Sequence, residues 1–439
     1  MLIANGTLVT LGAKNELIQD GALLIEGDRI AAVGKSGQLR REHPDVEVLD
    51  ARGKLVMPGI ICAHTHFYGA FARGMALRGE APSNFPQILE YLWWRLDKAL
   101  NREDIRYSAL VNMVDAIRNG TTTLLDHHAS PHAVAGSLAV IAEAVEEAGL
   151  RACLCYEVSD RDGEEIAQQG LRENERFIKE VSGERLAGTF GLHASMTLSE
   201  ETLAQAVTMA ERLGVGFHIH AAEDKADVKD SLKKYGLRVV ERLEKAGVLG
   251  PKTIAAHCVH IDAFEMDILR QTQTNVAHNP RSNMNNAVGV ADVPGMLRRG
   301  INVGLGNDGF SNNMFSEMEA AYLVHKLAQE DPRVMGADQV LQIAGVNNAR
   351  IARTFFPRPL GELTKGAFAD IILVDYVPTT PMDAGNFPWH LVFGMNGGQV
   401  STTIVGGKVL MKDRRLLTLD EEAICARSRE QARKLWARV

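Results

Sequence analysis

Two histidine pairs in this chain have the spacing of metal ligands. His64-Thr65-His66 closes the apolar run VMPGIICAHTH, and His218-Ile219-His220 lies in VGFHIHAA. Side chains two apart on a strand point to the same face, so each pair can aim two imidazoles at one point. A core histidine beside a surface histidine spells the same pattern, so the pairs gain meaning only from partners. His257 in AAHCVH and Asp308 in GLGNDG supply them, each at the end of a short apolar run, and His193 in GLHAS and His278 in VAHNP end two more. Either His218 or His220 can serve as a ligand, with His220 nearer its strand end. Three imidazoles and one carboxylate around an open position suit a catalytic Zn²⁺ or Fe²⁺ rather than Mg²⁺ or Ca²⁺.

These residues need a scaffold that brings distant strand ends together. From Val56 the chain alternates apolar strands with helical stretches whose apolar spacing is near 3.6: VMPGIICAHTH, TTTLLDHH, RACLCYEV, LAGTFGLHA, VGFHIHAA, TIAAHCVH, TNVAHNP and INVGLGND are the strands. Eight parallel strands close a (β/α)8 TIM barrel, whose strand C-termini meet at one mouth. An open doubly wound sheet would spread the same residues along an edge, so the barrel, over residues 56–356, is the expected α/β fold. Residues 1–55 and 357–419 read as short strands punctuated by Asn5-Gly6, Gly27-Asp28 and Gly53, and are expected to pair into one small composite β-sandwich. Residues 420–439 read as an amphipathic helix. Ser199 and Gly214 bound the helix after the fourth strand as N-cap and stop.

Composition excludes several function classes. The net charge of -7 comes from interspersed charges without a basic stripe, which argues against nucleic acid. No run approaches the ~18 apolar residues of a membrane span, and the first residues lack the pattern of a signal peptide, so a cytoplasmic protein without a membrane partner is expected. Five cysteines, odd in number and without a CxxC pair, read as reduced thiols. Barrels of this size often associate, so a homo-oligomer is one expectation.

PGIICAHTH, HIHAAE, AAHCVH, HNPRSN and GLGNDGFSNN, in that order, resemble the strand-end motifs of the amidohydrolase superfamily in its cytosine-deaminase-like and chlorohydrolase-like branch. The likeness covers nearly the whole chain. DHHASPHA and GNDGFSNNMFSEME are most similar to the aminohydrolase group called SsnA, associated with selenium and purine metabolism. The resemblance implies that His64, His66, His220 and Asp308 hold one divalent ion, zinc before iron. It implies that Glu223 is the general acid and base, that His257 orients the attacking water, and that His193 touches substrate. Such an ion lowers the pKa of bound water towards ~7, for attack on an sp² carbon bearing an amino group. Glu223 sits at an odd offset from His220, so its role demands that the chain leave the strand and fold back over the mouth. Binuclear relatives carry a bridging lysine on the fourth strand. This chain has no lysine between Lys179 and Lys225, so one metal is expected.

The implied reaction is deamination of a purine, pyrimidine or other planar N-heterocycle, a small-molecule substrate. A rival keeps the site and changes the leaving group to chloride or a guanidino or amidine nitrogen. A non-catalytic scaffold would have lost ligands, and none is missing. His127 or His128 is expected to line the pocket from the second strand. One of Trp93 and Trp94 is expected to stack on the substrate while its neighbour packs in the core. His278 is expected near substrate or behind a ligand. Gly304, Gly306 and Gly309 spell GxGxxG, but Asp308 within the loop would repel a pyrophosphate, so close packing at the barrel rim is the better reading. Arg73, Arg161 and Arg281 could contact an anion, but each reads first as a solvated charge.

Overall fold

Strand and helix alternate from Ile60 onward in the computed structural model, which describes residues 1–439 apart from Ala13 and Arg78. The eight barrel strands are Ile60–Thr65, Thr121–His128, Arg151–Tyr156, a fourth in two pieces (Leu186–Gly188 and Phe190–Ala194), Phe217–Ala221, Ile254–His257, Asn275–His278 and Val303–Leu305. All their pairings are parallel. The fourth strand breaks at Thr189. Its first piece pairs with the third strand and its second with the fifth, and a bridge from Val158 to Leu192 ties the two arcs together.

The eighth strand meets the first through one buried side chain. Asn348 donates to the carbonyls of Ile61 at 2.7 Å and Leu305 at 2.9 Å, and its Oδ1 accepts from the Leu305 amide at 2.8 Å. The expected tight rim is real: a Cβ on Gly304 would lie 2.3 Å from Asn348 Oδ1, and one on Gly306 2.8 Å from the His64 carbonyl. Asn348→Ala is expected to strand three buried backbone groups, cost about 3 kcal/mol and lower Tm by roughly 3 °C, read by calorimetry. An unchanged Tm would place the closing interactions elsewhere.

Strands from both chain ends form one nine-stranded sheet. Strand Leu55–Pro58 of that sheet pairs antiparallel with Ile371–Val374 and runs directly into the first barrel strand, so sheet register sets where His64 and His66 emerge. Ile3, Leu8, Leu23 and Ile371 fill one face of the sheet, and Leu2, Ala4, Ala22 and Leu24 another cluster with Leu39. Arg151, at the start of the third barrel strand, is buried against Asp370 at 2.8 Å and locks barrel to sheet.

Local signals behave as their chemistry requires. Ser199 Oγ accepts from the Thr202 amide and Gly214 ends the helix at φ +69°. The charged stretch after the fifth strand is two helices, Lys225–Tyr235 and Val239–Lys245, because Gly236 takes φ +67° between them. Helix Phe387–Gly394 was not legible, since its apolar residues show no helical face. The C-terminal helix Glu421–Trp436 pairs with Arg118 through Glu421, and Trp436 Nε1 donates to the Phe71 carbonyl at 2.8 Å, bracing the first loop. Among the described residues, no helix is long and apolar enough to cross a membrane.

Candidate active site

Four imidazoles and one carboxylate converge at the C-terminal mouth. The rings are held from behind through Nδ1. His66 donates to the His127 carbonyl at 2.6 Å, His220 to the His193 carbonyl at 2.9 Å and His257 to Asn283 Oδ1 at 2.8 Å, while His64 Nδ1 meets His218 Nε2 at 2.8 Å. A ring that gives its proton through Nδ1 presents a lone pair at Nε2, as metal-binding histidines do. The Nε2 atoms of His66 and His220 lie 3.1 Å apart, and those of His64 and His66 each lie 3.0 Å from Asp308 Oδ1. Acceptors that close repel unless a cation or a shared proton lies among them. His64, His220, His257 and Asp308 offer ligand atoms all within 4.8 Å of one another. The donor set therefore fits a divalent ion.

Backbone strain aims these groups. Ala222 (φ +47°), His257 (φ +72°) and Asp308 (φ +59°) occupy the left-handed region, at a cost of order 1–3 kcal/mol each. The strain is held by the Ala222 amide on Asp227 Oδ2 at 3.0 Å, the Cys258 amide on the Ala221 carbonyl at 3.0 Å and the Asp308 amide on the His64 carbonyl at 3.1 Å. At Ala222 the chain leaves the fifth strand and turns Glu223 into the mouth, as its offset demanded. Glu223 Oε2 lies 3.6 Å from His257 Nε2, which has no hydrogen-bond partner among the described residues and stands 3.9 Å from Asp308 Oδ2. Asn286 Nδ2 donates to Glu223 Oε1 at 3.4 Å, and Ser282 Oγ donates to Asp308 Oδ2.

Burial sets the electrostatics. It depresses His64 to about 3 and holds His220 well below the ordinary imidazole value. At His66 burial is outweighed by the bond to Asp308 and its charge, which raise the ring to about 9. Burial would raise Asp308, but His257, His64 and His66 hold it well below the carboxylate range. Burial and then the charge of Asp308 push Glu223 well above that range.

Above the cluster opens a cavity of about 550 Å³. His66, His193, His220, Glu223 and Asp308 reach it together with Glu157, and Phe85, Leu89, Trp93, Trp94 and Phe310 give it apolar walls.

Several expectations are corrected here. His127 and His128 do not line the cavity. His127 is buried behind it, with Nδ1 3.1 Å from Glu157 Oε2 and Nε2 within 3.1 Å of the carbonyls of Leu192 and His218. His128 turns to Ser130 Oγ at 2.9 Å. His278 faces His325 across 3.2 Å, away from the cavity. Both Trp93 and Trp94 reach the wall, because the loop helix changes from a π turn, Leu89–Trp93, to α form at Trp94 and resets its phase. Arg161 is no solvated charge. It lies against the cavity, paired with the buried Asp97 and with Asp162 at 3.0 Å. Arg281 bonds the buried Glu317 at 2.6 Å, while Arg73 is exposed at the rim.

Glu157, Ser282 and Asn286 went unrecognised in the sequence. An acid ending the otherwise apolar third strand, where the other strands place their histidines, was a signal that could have found Glu157. Ser282 and Asn286 sit four apart on and just past helix Pro280–Asn285 and carry no such mark.

Residues 55–410 match the amidohydrolase family, and residues 21–45 match an imidazolonepropionase-like composite domain of bacteria. The chain is 36% identical over 446 residues to a 5'-deoxyadenosine deaminase of Methanosarcina mazei, covering 100% of this chain and 99% of that one. It is 36% identical over 441 residues to a 5-methylthioadenosine/S-adenosylhomocysteine deaminase of Moorella thermoacetica, covering 99% of each. In fold it is similar to a zinc-bound adenosine deaminase of Xanthomonas campestris (TM-score 0.88, 23% identity, 100% and 98% of the two chains). It is also similar to a zinc-complexed atrazine chlorohydrolase of Arthrobacter aurescens (TM-score 0.84, 23% identity, 98% and 99%). The family match spans most of the chain, and the chain belongs to the amidohydrolase family.

Proposed function

We propose that this protein is a metal-dependent aminohydrolase that deaminates a purine nucleoside altered at its 5' position. The observation that carries the chemistry is the convergence of histidine Nε2 atoms on Asp308 at the cavity floor, beside a carboxyl, Glu223, that burial and the charge of Asp308 push above the carboxylate range. The relatives support the substrate class: they are named deaminases of 5'-deoxyadenosine and of 5-methylthioadenosine or S-adenosylhomocysteine.

His64, His66, His220 and Asp308 would hold one divalent ion, zinc in preference to iron. When bound, that ion supplies water activated for attack at neutral pH. The apolar walls, with Trp93 and Trp94, seat a planar ring with its amino-bearing carbon towards the cluster. Glu223 gives its proton to the ring nitrogen next to that carbon, which makes the carbon electrophilic. One proton of the attacking water passes through Glu223 or Asp308 to the amino group, the C–N bond breaks and ammonia leaves, and the other proton restores Glu223. His257, its Nδ1 committed to Asn283, accepts a hydrogen bond at Nε2 and orients the attacking water. Ser282 fixes the free oxygen of Asp308. His193, anchored to Thr197 Oγ1 at 2.7 Å, presents Nε2 to the ring. A second ion beside the first, on His66, His127, Glu157 and His220, fits poorly, since both nitrogens of His127 already face oxygen acceptors.

Ammonia release from 5'-deoxyadenosine, 5'-methylthioadenosine, S-adenosylhomocysteine, adenosine, guanine and a chlorotriazine, with zinc and iron forms compared, tests this. The expected result is ammonia from the 5'-altered adenosines with the absorbance change from an adenine to a hypoxanthine ring. Chloride from the triazine, with no ammonia from any nucleoside, would overturn it.

A further inference from the structure

Two polar side chains on the cavity wall have no use in the chemistry above. Glu157 lies just past the third barrel strand, and Tyr68 follows His66 by two residues in the turn Phe67–Ala72. Glu157 is 5% exposed and Tyr68 7%, so each is more than nine-tenths buried, and both line the cavity. Glu157 spends Oε2 on His127 Nδ1, at 3.1 Å. Its Oε1 stands 3.6 Å from His193 Nε2, too far for a hydrogen bond, and bonds nothing else among the described residues. The Tyr68 hydroxyl likewise makes no hydrogen bond among the described residues, and Glu157 is the charged group whose field it feels most. Arg161, four residues beyond Glu157, is spent on Asp97 and Asp162 and does not cap Oε1. A carboxylate oxygen and a hydroxyl this deeply buried are costly to leave without partners, and a ligand can supply them.

We propose that Glu157 and Tyr68 hold the sugar of the substrate: Glu157 Oε1 accepts from one ribose hydroxyl, and the Tyr68 hydroxyl donates to the oxygen of the other. The assignment rests on the proposed function, and the order of strands around the mouth carries it. Glu223 follows the fifth strand, His193 lies on the fourth and Glu157 follows the third, and these strands are neighbours in that order. With the amino-bearing carbon over the cluster and N1 at Glu223, the edge of a purine that turns towards His193 presents N3. N9 and its sugar come next along that edge, so the sugar arrives at the third strand end, where Glu157 stands. The ring of Trp93 meets that of Tyr68 edge to face, with centroids 6.4 Å apart, and continues this wall. The two groups match a diol, since a hydroxyl both donates and accepts whereas a carboxylate only accepts. The 2' and 3' hydroxyls are the part of the sugar that 5'-altered nucleosides share, so a site gripping them leaves the 5' end free to vary.

Deamination of 5'-deoxyadenosine and of 2',3',5'-trideoxyadenosine, which lacks both hydroxyls, tests this. The unsubstituted protein should favour the first about 100-fold in kcat/KM, mostly through KM, because a hydrogen bond to a charged acceptor is worth about 10–100-fold. Glu157→Gln keeps an oxygen for His127 but turns an amide nitrogen to the cavity, and the preference should fall about tenfold or more. Tyr68→Phe should lower it about threefold to tenfold. If Glu157 serves only to hold His127, its substitution will slow both nucleosides alike and leave the preference as it was, which would overturn the proposal. An unsubstituted protein that treats the two nucleosides equally would overturn it too. Calorimetric binding of both nucleosides to the chelated protein needs no turnover, and the same ratio is expected in Kd. That ratio without ammonia release would sink the proposed reaction and uphold the sugar site, whereas binding of neither nucleoside would overturn both.

Discussion

Asp308→Ala is expected to remove both the metal and the turnover. Asp308 Oδ1 lies 3.0 Å from the Nε2 atoms of His64 and His66, and it is the one carboxylate in the converging ligand group. Without it, the imidazoles face one another with no carboxylate in direct contact to favour a cation. Loss of several kcal/mol of transition-state stabilisation corresponds to a fall in kcat of about 10³-fold or more. Metal analysis should read near zero per chain, and chelation of the unsubstituted protein should reproduce the loss, reversibly on adding zinc. A variant that keeps stoichiometric metal would take Asp308 out of the ligand set. Asp308→Asn separates charge from shape: it retains an oxygen at the same place, so intermediate affinity is expected.

The converging cluster was legible because strand periodicity and chemistry coincide there. His64, His66, His220 and His257 each sit where an apolar strand meets the mouth, so residue type and position carried one message. The pocket wall was less legible. His127 and His128 end their strand in the same way, yet pleating turns one ring to Glu157 and carbonyl groups and the other to Ser130. Which of two adjacent strand-end residues looks inward depends on a register that no local pattern states. Arg161 and Arg281 looked solvated because their partners Asp97 and Glu317 lie 64 and 36 residues away. Trp93 and Trp94 were divided between core and pocket on the assumption of an unbroken α-helix, which the π turn before Trp94 breaks. Asn348, which stitches the first strand to the eighth, bonds partners 287 and 43 residues away.

Glu223→Gln separates proton transfer from metal binding. The amide keeps the volume and can still accept from Asn286 Nδ2, so the mouth should keep its shape and its metal content. It has no proton to give the ring nitrogen, and kcat should fall about 10²–10⁴-fold with metal stoichiometry unchanged. The pH profile carries the sign. Burial and the charge of Asp308 raise the pKa of Glu223, so the donating form is populated at neutral pH. Activity that needs that form is present below the raised pKa and declines as pH rises through it. The glutamine variant should lack this alkaline decline in its residual activity, while Glu223→Asp, a shortened acid, should keep it at a lower rate. Turnover by the glutamine variant within about threefold of the unsubstituted enzyme would remove Glu223 from the proton-transfer role, since even the weakest general acids of this kind contribute about 10²-fold. The metal content of the same sample then discriminates: unchanged metal with lost turnover assigns the defect to the proton, whereas lost metal would make Glu223 a positioning residue for the ligand cluster.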